Sequence, residues 1–394
     1  MTMEVWTASW DELPAAGPAA LIDVRSPAEF EEYHYPGAVN ASLLRDDQRA
    51  IIGTIYARVG AESATGRASV FIRERLPELL AVVQRALPEG VTLPVPEAMP
   101  LFDAIVERVR SGPGQLESLA RPLSEAPESD RPVVHVTCWR GGLRSLSLCL
   151  LLSGLGVRAV QLRGGVRAWR KHDLATIAAA ELPPLLLIDG MTGAGKTDLL
   201  QLIAARRPEL VIDLEGLAGH RSSILGDLGL NPVTKKAFDA ALAERLRGPL
   251  GAPLLLEAES RKIGDVEIPD RLWRAMKAAP AVVLEGRAEV RARRLAEEYW
   301  RPERIAPLEP KLEFLAGRMP AEAAERMLTA FRERRPEAVA FELLHGYYDA
   351  RYKHSSRKRT VLERFNSDDP QRCADELLAW IDADGLAAVR AATP

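Results

Sequence analysis

The sequence predicts an α/β protein of two domains, each built on a parallel sheet, with a helical region at the C-terminal end. Short apolar runs alternate with helical patterns in both halves of the chain, which is typical of parallel sheets. A proline-containing loop, AAAELPP, separates the two sets of runs and places the boundary at about residue 180. The 394 residues are too many for one ordinary domain and sufficient for two.

The first domain begins with a predicted strand at 20–24, followed by a turn and an acidic helix. Apolar stripes at helical spacing from about 66 to 110 predict helices within an insertion of about 54–130. After a linker rich in Ser, Pro and Glu, the apolar run VVHV predicts a strand that leads into a cysteine loop. Helix, strand and helix then follow.

The second domain begins with a predicted strand at 185–189, a glycine-rich loop and a helix. Further strands are predicted at 209–214, 252–258 and 279–286, with helices between them. From about residue 287 onward the pattern is mainly helical.

The composition argues against a disordered protein and against a membrane protein. Hydrophobic content of 47%, charged content of 27% and a net charge of −3 are typical of a globular chain, so any nucleic-acid contact requires a local basic patch. We find neither a signal-peptide pattern nor an apolar run near the roughly 18 residues of a membrane span, and we expect a cytoplasmic protein. Three cysteines without a CxxC pair predict neither a disulfide framework nor a cysteine zinc site. Cys149, in an apolar run, and Cys373 are expected to have no chemical role.

The glycine-rich loop GMTGAGKT fits the phosphate-binding pattern G-x-x-x-x-G-K-[ST] in the strand-to-helix context that this pattern requires. Its backbone N–H groups and the helix N-terminus can cradle phosphate oxygens, Lys196 adds positive charge, and Thr197 can hold a magnesium ion. A di- or triphosphate is therefore the predicted ligand, with or without hydrolysis. The predicted phosphate-binding residues are Gly190, Gly193, Gly195, Lys196 and Thr197.

The cysteine loop TCWRGGLRS places Cys138 between a strand and a helix, where backbone N–H groups and the helix dipole favour a thiolate. The two glycines allow a tight loop, and Arg140 and Arg144 can neutralise an anionic donor. We therefore predict Cys138, Arg140 and Arg144 as catalytic residues. The spacing fits both a rhodanese loop, whose thiolate carries sulfur or selenium, and the Cys-dependent phosphatase pattern C-x5-R-[ST].

The flanking sequence favours the rhodanese interpretation. DVRSPAEF resembles the opening of rhodanese domains, with Asp23, Arg25 and Glu29 in the usual places, and VQLRGGVRAW resembles their closing strand and helix. The phosphatase interpretation is weaker because Thr137, rather than histidine, precedes the cysteine.

Taken together, the motifs resemble those of the tRNA 2-selenouridine synthase family over nearly the whole chain. They are DVRSPAEF, CWRGGLRS, GMTGAGKT, DLEGLAGHRSS, LEAESRKIG and YYDARY. The resemblance implies a rhodanese-like domain at 1–180 and a P-loop NTPase-like domain at 181–394 with a helical, basic C-terminal region. A P-loop kinase or NTPase with a regulatory rhodanese-like binding module is the main alternative, although modules that only bind often lack the cysteine.

The resemblance further implies a transferase that acts on 2-thiouridine at the wobble position of tRNA. In that family geranyl diphosphate first alkylates the sulfur, and selenium from selenophosphate then replaces the S-geranyl group. Cys138 is expected to carry the selenium as an S-selanyl intermediate. Selenophosphate and geranyl diphosphate are the implied co-substrates, with Mg²⁺ as a further cofactor. The implied partners are the tRNAs for Lys, Glu and Gln and the enzyme that produces selenophosphate.

Two further groups of residues are candidates for the site. One group, the second-loop group, follows the ends of predicted strands and is expected to lie beside the phosphate loop. In the alternative interpretation, Asp213 only caps a helix and the glutamates of the group are ordinary surface acids. Ser222 stands where the family has glycine, and Ala258 where an acid is common. The second-loop group consists of Asp213, Glu215, His220, Arg221, Glu257, Glu259 and Arg261.

A basic cluster near the C-terminus predicts an RNA contact, with Tyr347, Tyr348 and Tyr352 available to stack on bases. A second basic run, which includes Arg291, Arg293 and Arg294, is followed by acids and is interpreted as a solvated helix face. The predicted RNA-binding residues are Arg351, Tyr352, Lys353, Arg357, Lys358 and Arg359.

Overall fold

The computed structural model describes residues 5–13, 20–111, 120–126, 134–351 and 359–393. The chain folds as two compact units, Met1–Asp173 and Leu174–Pro394. The division falls slightly before the predicted boundary at 180 and lies within one helix, so this helix contributes residues to both units.

In the first unit, the described residues form a six-stranded parallel sheet with the order β3-β2-β5-β6-β1-β4. The central strand β5 is buried along its whole length, as expected for a parallel strand covered on both faces. Cys138 follows its carboxyl end. The strands are β1 (Val5–Ala8), β2 (Leu21–Asp23), β3 (Val39–Asn40), β4 (Ala120–Pro122), β5 (Val134–Thr137) and β6 (Ala159–Leu162).

The helices of this unit include a helical insertion between β3 and β4. It begins at Asp46, earlier than the predicted residue 54. The predicted turn at Ser26-Pro27 is the start of the preceding helix, with Ser26 in an extended N-cap conformation and Pro27 at the first helical position. The helices are α1 (Pro27–Glu32), α2 (Asp46–Arg58), α3 (Ala61–Ala86), α4 (Val95–Ser111), α5 (Leu143–Gly154) and α6 (Gly165–Ala179), with 3-10 turns at Trp10–Glu12 and Leu123–Glu125.

The second unit contains a parallel sheet with the order β12-β11-β7-β8 and a small antiparallel hairpin formed by β9 and β10. The predicted α/β class, with parallel sheets in both halves, is therefore confirmed. The strands are β7 (Leu185–Gly190), β8 (Leu254–Glu257), β9 (Lys262–Ile263), β10 (Val266–Glu267), β11 (Ala281–Glu285) and β12 (Val361–Asn366).

Two details of this sheet differ from the prediction. The strand predicted at 209–214 is wrong, because a 3-10 turn at Pro208–Leu210 and a helix that begins after Asp213 leave only a single bridge between Val211 and Leu255. The edge strand β12 was missed, because most of its residues are exposed and it lacks the apolar run that predicts a strand.

The C-terminal part is mainly helical, as predicted. Helices α11 to α14 enclose an apolar core of their own, in which Leu312, Met327 and Leu344 are fully buried. Among the described helices, none combines the length and hydropathy needed to span a membrane. The helices of this unit are α7 (Lys196–Ala204), α8 (Leu214–Ala218), α9 (Lys235–Arg247), α10 (Asp270–Ala278), α11 (Ala288–Tyr299), α12 (Pro302–Ala316), α13 (Ala321–Arg332), α14 (Pro336–Leu343), α15 (Pro370–Trp380) and α16 (Leu386–Ala392), with a 3-10 turn at Pro208–Leu210 and π turns at Leu344–Tyr348 and Ile381–Gly385.

Candidate active sites

The cysteine loop holds its sulfur between two hydrogen-bond donors. Cys138 Sγ accepts from the Gly142 backbone N–H at 3.3 Å and from the Ser145 hydroxyl at 3.2 Å. Gln161 fixes the loop, because its Nε2 donates to the Gly141 carbonyl at 2.8 Å and to Ser145 Oγ at 2.9 Å. Only 3% of Cys138 is exposed. Donors placed in this way stabilise negative charge on the sulfur or on an atom bound to it.

A glycine turn after β6 packs directly against this loop. Gly165 has φ +56°, and a Cβ at this position would lie 2.1 Å from the Cys138 carbonyl oxygen. The next two N–H groups, of Val166 and Arg167, donate to the carbonyls of Cys138 and Trp139 at 2.8 and 3.0 Å. The sequence predicts the turn but carries no local signal that it supports the cysteine loop from across the sheet.

The two arginines predicted beside Cys138 differ in their surroundings. Arg144 Nη1 donates to Glu29 Oε2 at 3.0 Å, and Arg49 Nε lies 3.6 Å from the same oxygen. Burial acts to raise the pKa of Glu29. The charge and hydrogen bond of Arg144, together with the Ser26 N–H and the charge of Arg49, outweigh burial, so the pKa is lowered overall and the carboxylate remains ionised. Arg140 is exposed. Both arginines line a pocket that contains Cys138.

Asp23 and Arg25 of the DVRSPAEF motif support the fold beside the cysteine loop. Asp23 lies opposite Thr137 in the sheet and forms a buried ion pair with Arg25, whose Nη2 is 2.7 Å from Asp23 Oδ2. Arg25 also donates to the Tyr33 carbonyl at 2.6 Å. This pair supports the strand ends beside the cysteine loop and does not line the pocket.

The other two cysteines, for which we expect no chemical role, are buried within helices. Cys149 is fully buried in α5 and Cys373 is buried in α15. Burial raises the pKa of the Cys149 thiol well above its ordinary value and that of Cys373 to about 11. Both remain protonated near neutral pH.

In the second unit, the phosphate loop connects β7 to α7. Lys196 Nζ donates to the Gly190 carbonyl at 3.1 Å across the loop. Gly193 and Gly195 have φ +76° and +83°, and a Cβ on Gly193 would lie 2.9 Å from the Arg291 carbonyl oxygen. Glycine is therefore required for the close approach of the α11 backbone as well as for the loop conformation.

Glu215 connects the phosphate loop to the second loop. Its Oε2 accepts from the Thr197 hydroxyl at 3.1 Å, and its Oε1 accepts from the Ser222 N–H at 2.7 Å. Burial, reinforced by the charge of Glu259, raises the pKa of Glu215 to about 7. Ser222 lies outside the left-handed region, so its backbone conformation does not require glycine.

These two loops border a polar cleft of about 450 Å³. The cleft brings together many of the residues predicted from the sequence, namely Gly193, Gly195, Lys196, Thr197, Glu215, Arg221 and Glu259. The cleft therefore combines positive side chains and loop glycines with several carboxylates, among them Glu215 and Glu259, which suits a phosphorylated ligand with a bound cation.

Four residues of the second-loop group do not line the cleft. Asp213 is a helix cap, since its Oδ1 accepts from the Gly216 N–H at 2.7 Å. Glu257 is fully buried, and burial raises the pKa of its carboxyl well above the ordinary value. Arg261 pairs with Asp270 on the surface at 2.6 Å. His220 lines a separate, neighbouring cavity.

The interpretation of the second basic run as a solvated face is wrong for two of its three arginines. Arg291 is 4% exposed, and its Nε donates to the Thr192 carbonyl at 2.9 Å while its Nη2 lies 2.5 Å from Asp349 Oδ1. Arg294 Nη1 donates to the Ala194 carbonyl at 3.2 Å and lines the cleft. Periodicity places both on one face of α11, but only the tertiary fold shows that this face packs on the phosphate loop.

Four of the predicted RNA-binding residues, Tyr352, Lys353, Arg357 and Lys358, lie outside the described residues. Of the other two, Arg351 covers the ring of Tyr347, with its Cζ 3.7 Å from the ring centroid. Tyr347 is 8% exposed and is therefore unavailable to stack on a base. Arg359 Nη1 lies 3.9 Å from Asp189 Oδ2, at the end of β7.

The predicted magnesium ligand fits its surroundings. Thr197 Oγ1 and the Glu215 carboxylate face one another and offer hard oxygen ligands. Within the described ranges no group of three or more His, Cys, Asp or Glu side chains converges as a metal site. A magnesium ion here would therefore take its remaining ligands from phosphate and water, as is usual beside phosphate loops.

Sequence comparisons match this chain to proteins named tRNA 2-selenouridine synthase. The family described as "tRNA 2-selenouridine synthase AAA domain" matches residues 183–307. The tRNA 2-selenouridine synthase of Shewanella sp. (strain ANA-3) is 35% identical over 284 residues, which cover 71% of this chain and 65% of the relative. That of Salmonella newport (strain SL254) is 33% identical over 285 residues, with 71% and 66% covered. The chain thus spans a little under two thirds of the length of these relatives.

A solved structure also matches part of the chain. It is the N-terminal domain of a candidate ATP/GTP binding protein from Clostridium difficile 630, and it covers 39% of this chain and 88% of its own at 25% identity with a TM-score of 0.25. A TM-score this low carries no argument about the fold. The sequence matches, in contrast, confirm the predicted resemblance: the chain is related to the tRNA 2-selenouridine synthases.

Proposed function

We propose that this protein converts 2-thiouridine at the wobble position of tRNA into 2-selenouridine, in the cytoplasm and in two steps. The observation that carries the proposal is that one chain contains both loops. In the cysteine loop, two hydrogen bonds are donated to the Cys138 sulfur, and in the phosphate loop, the Thr197 hydroxyl donates a hydrogen bond to Glu215. The names of the relatives support it.

The first step is S-geranylation, which belongs to the second unit. The sulfur of 2-thiouridine attacks C1 of geranyl diphosphate, the C1–O bond breaks, and the diphosphate leaves with the bonding electrons. The proton on N3 of the base is released, so the S-geranyl base is neutral. Lys196 and the loop N–H groups stabilise the negative charge that develops on this leaving group. Magnesium, when bound at Thr197 and Glu215, would neutralise part of the same charge. An apolar recess of about 30 Å³, lined by Leu295, Tyr299 and Leu308, adjoins the cleft and must widen to take the geranyl chain.

The second step is selenium transfer, which belongs to the first unit acting as a rhodanese-like domain. The Cys138 thiolate attacks the selenium of selenophosphate, the S–Se bond forms, and the P–Se bond breaks as phosphite leaves with the bonding electrons. Cys138 then carries the selenium as an S-selanyl group. The selenium attacks C2 of the base, the C2–Se bond forms, the C2–S bond breaks, and geranylthiol departs after it takes up a proton. One external thiol then attacks the Cys138 sulfur, the S–Se bond breaks, and the selenium remains on C2 of the base. A second thiol reduces the mixed disulfide left on Cys138 and restores its thiolate. The Gly142 N–H and the Ser145 hydroxyl hold the negative charge on the carrier.

The tRNA partners proposed are those for Lys, Glu and Gln, together with the enzyme that produces selenophosphate. A cavity of about 670 Å³ in the second unit is suited to an anticodon nucleotide, because Lys262, Lys311, Tyr348 and Arg351 line it. It shares Ser222 and Ser223 with the phosphate cleft, which supports entry of the base from this side.

The proposal predicts that the two steps can be separated. Cys138→Ser is expected to leave geranylation of 2-thiouridine tRNA unchanged and to abolish 2-selenouridine formation, because alkylation requires no thiolate. Mass spectrometry of the digested nucleosides measures both products. Cys149→Ala is the matched control, since it removes a buried thiol in the adjacent helix and should retain both activities.

Formation of 2-selenouridine by Cys138→Ser would overturn the carrier assignment. Rapid release of phosphate from ATP without tRNA, together with no transfer from geranyl diphosphate, would instead favour the kinase or NTPase alternative. Cys138-dependent hydrolysis of a phosphate ester would favour the phosphatase alternative.

A further inference from the structure

The first unit contains an apolar pocket that begins at Cys138. Its volume is about 470 Å³, within the roughly 300–1,000 Å³ that is typical of small-molecule sites. The walls come from the helical insertion, with Ile52 of α2, Ile72 of α3 and Phe102 of α4 among them. Of the described residues that line it, only Arg140 and Arg144 are charged, and both belong to the cysteine loop.

Helix α2 shows that this apolar surface is not closed by the protein itself. The helix has no fully buried residue, although it contains three isoleucines and a tyrosine. Ile52 is only partly buried against the core, and Tyr56, which also lines the pocket, is 64% exposed. Exposed apolar surface that borders a concave pocket is typical of a ligand-binding site.

An anionic selenium donor does not explain these walls. Selenophosphate requires positive charge and N–H donors, and the cysteine loop provides both with Arg140, Arg144 and Gly142. Aliphatic and aromatic walls favour a ligand, or a part of one, that is apolar and uncharged. The pocket therefore points to the acceptor side of the reaction.

We infer that this pocket binds the geranyl group of the S-geranylated base while selenium is transferred from Cys138. The inference rests on the proposed function. For selenium on Cys138 to attack C2, the two atoms must approach to about 3–3.5 Å. The sulfur that carries the geranyl chain is bonded to this same C2, so the chain must start within a few bonds of Cys138, where the apolar walls begin.

This assignment also gives the reaction an order. A tRNA that carries 2-thiouridine without the geranyl group has no apolar chain to bury, so its base binds weakly beside the loaded cysteine. Geranylation then acts as the binding signal for selenium transfer as well as the activation of the leaving group. The pocket can also retain geranylthiol after the C2–S bond breaks, which keeps this thiol away from water until the base departs.

The test compares two neighbouring residues of α2 in the full-length protein. Ile52→Asn places a polar side chain in the pocket wall, whereas Ile51→Asn changes a residue that is 45% exposed and does not line the pocket. Each variant receives tRNA that already carries S-geranyl-2-thiouridine or S-methyl-2-thiouridine, with selenophosphate and a thiol reductant. The rate of 2-selenouridine formation is followed by nucleoside mass spectrometry.

We expect the wild type and Ile51→Asn to prefer the S-geranyl substrate. Ile52→Asn should lose about tenfold in kcat/KM on the S-geranyl substrate and remain unchanged on the S-methyl substrate. Equal loss on both substrates, or no difference between the two variants, would overturn the inference, as would a wild type without preference for the longer chain. A wild type that selenates neither substrate would instead contradict the proposed function.

Discussion

The cysteine loop and the phosphate loop use the same backbone arrangement for different chemistry. Each follows the carboxyl end of a buried parallel strand and leads into a helix, and each contains glycine in the left-handed region. Their surroundings differ. The cysteine loop opens into an apolar pocket, whereas the phosphate loop opens into a cleft lined by arginine, lysine and glutamate side chains.

The difference arises from the helices added to each sheet. In the first unit, α2 to α4 contribute aliphatic and aromatic side chains to the pocket. In the second unit, α11 contributes Arg294, Glu298 and Tyr299 to the cleft. A strand-to-helix junction therefore supplies the anion-binding N–H groups, and the added helices determine which substrate can approach them.

The largest effect is expected from Lys196→Ala. This change removes the positive charge beside the leaving diphosphate and should lower geranyl transfer by roughly 10²–10³-fold. Selenium transfer to tRNA that is already S-geranylated should be unaffected, because that reaction uses the other loop. Both rates can be measured by nucleoside mass spectrometry.

Lys277→Ala serves as the control for this prediction, because it removes an exposed positive charge of α10, away from the cleft. Undiminished geranylation by Lys196→Ala would remove the phosphate loop from that step. Equal loss of both reactions would contradict the division of labour between the two loops.

The second prediction concerns Gly165→Ala. A Cβ here would lie 2.1 Å from the Cys138 carbonyl oxygen and would also strain a backbone at φ +56°. We expect the cysteine loop to be displaced, selenium transfer to be lost and the first unit to be destabilised by more than the ~1–2 kcal/mol of left-handed strain alone. Geranylation should persist if the second unit remains folded.

Gly156→Ala isolates the strain in that experiment. Gly156 has φ +82°, but a Cβ there meets nothing within 4 Å. Its thermal unfolding should therefore shift less than that of Gly165→Ala, and selenium transfer should be retained. Similar behaviour of the two variants would show that the close contact with Cys138 is unimportant.

The sequence is most informative where local chemistry determines local structure. The phosphate loop has a complete motif, and the strand and helix that the motif requires are present as β7 and α7. The capped start of α1 at Ser26-Pro27 and the apolar stripe of α3 were likewise predictable, since each depends on residues close in sequence.

Features that depend on distant segments were not predictable in the same way. Arg294 lies in a run of charged residues that is typical of a solvated helix face. Only the packing of α11 on the phosphate loop places this side chain at the cleft. Tyr347 is an aromatic residue beside a basic cluster, which is typical of a residue that stacks on RNA bases. In the structure, Arg351 and the helical core cover its ring. The pocket beside Cys138 combines three helices of the insertion with a loop that follows a linker, so no single stretch of sequence indicates it.

The smallest expected effect is a pH dependence of thermal stability that comes from Glu215, beside the phosphate loop. Glu215 has a pKa of about 7, raised by burial and by Glu259, against an ordinary value of 4.5. Between these pH values the folded protein keeps a proton that the unfolded chain has released, so the stabilisation is complete below 4.5 and is lost as pH rises through 7. In protein without magnesium or diphosphate, the thermal midpoint should therefore fall over this window, and by less in Glu215→Gln.

Glu322→Gln, which changes an exposed glutamate of α13, should follow the wild type at every pH. Above pH 7, Glu215→Gln should unfold at a temperature roughly 3 °C or more above the wild type, since it avoids a buried charge. Glu257, whose pKa burial also raises, leaves part of the pH dependence in the variant. Parallel curves for Glu215→Gln and the wild type would show that Glu215 does not keep this proton in the folded protein.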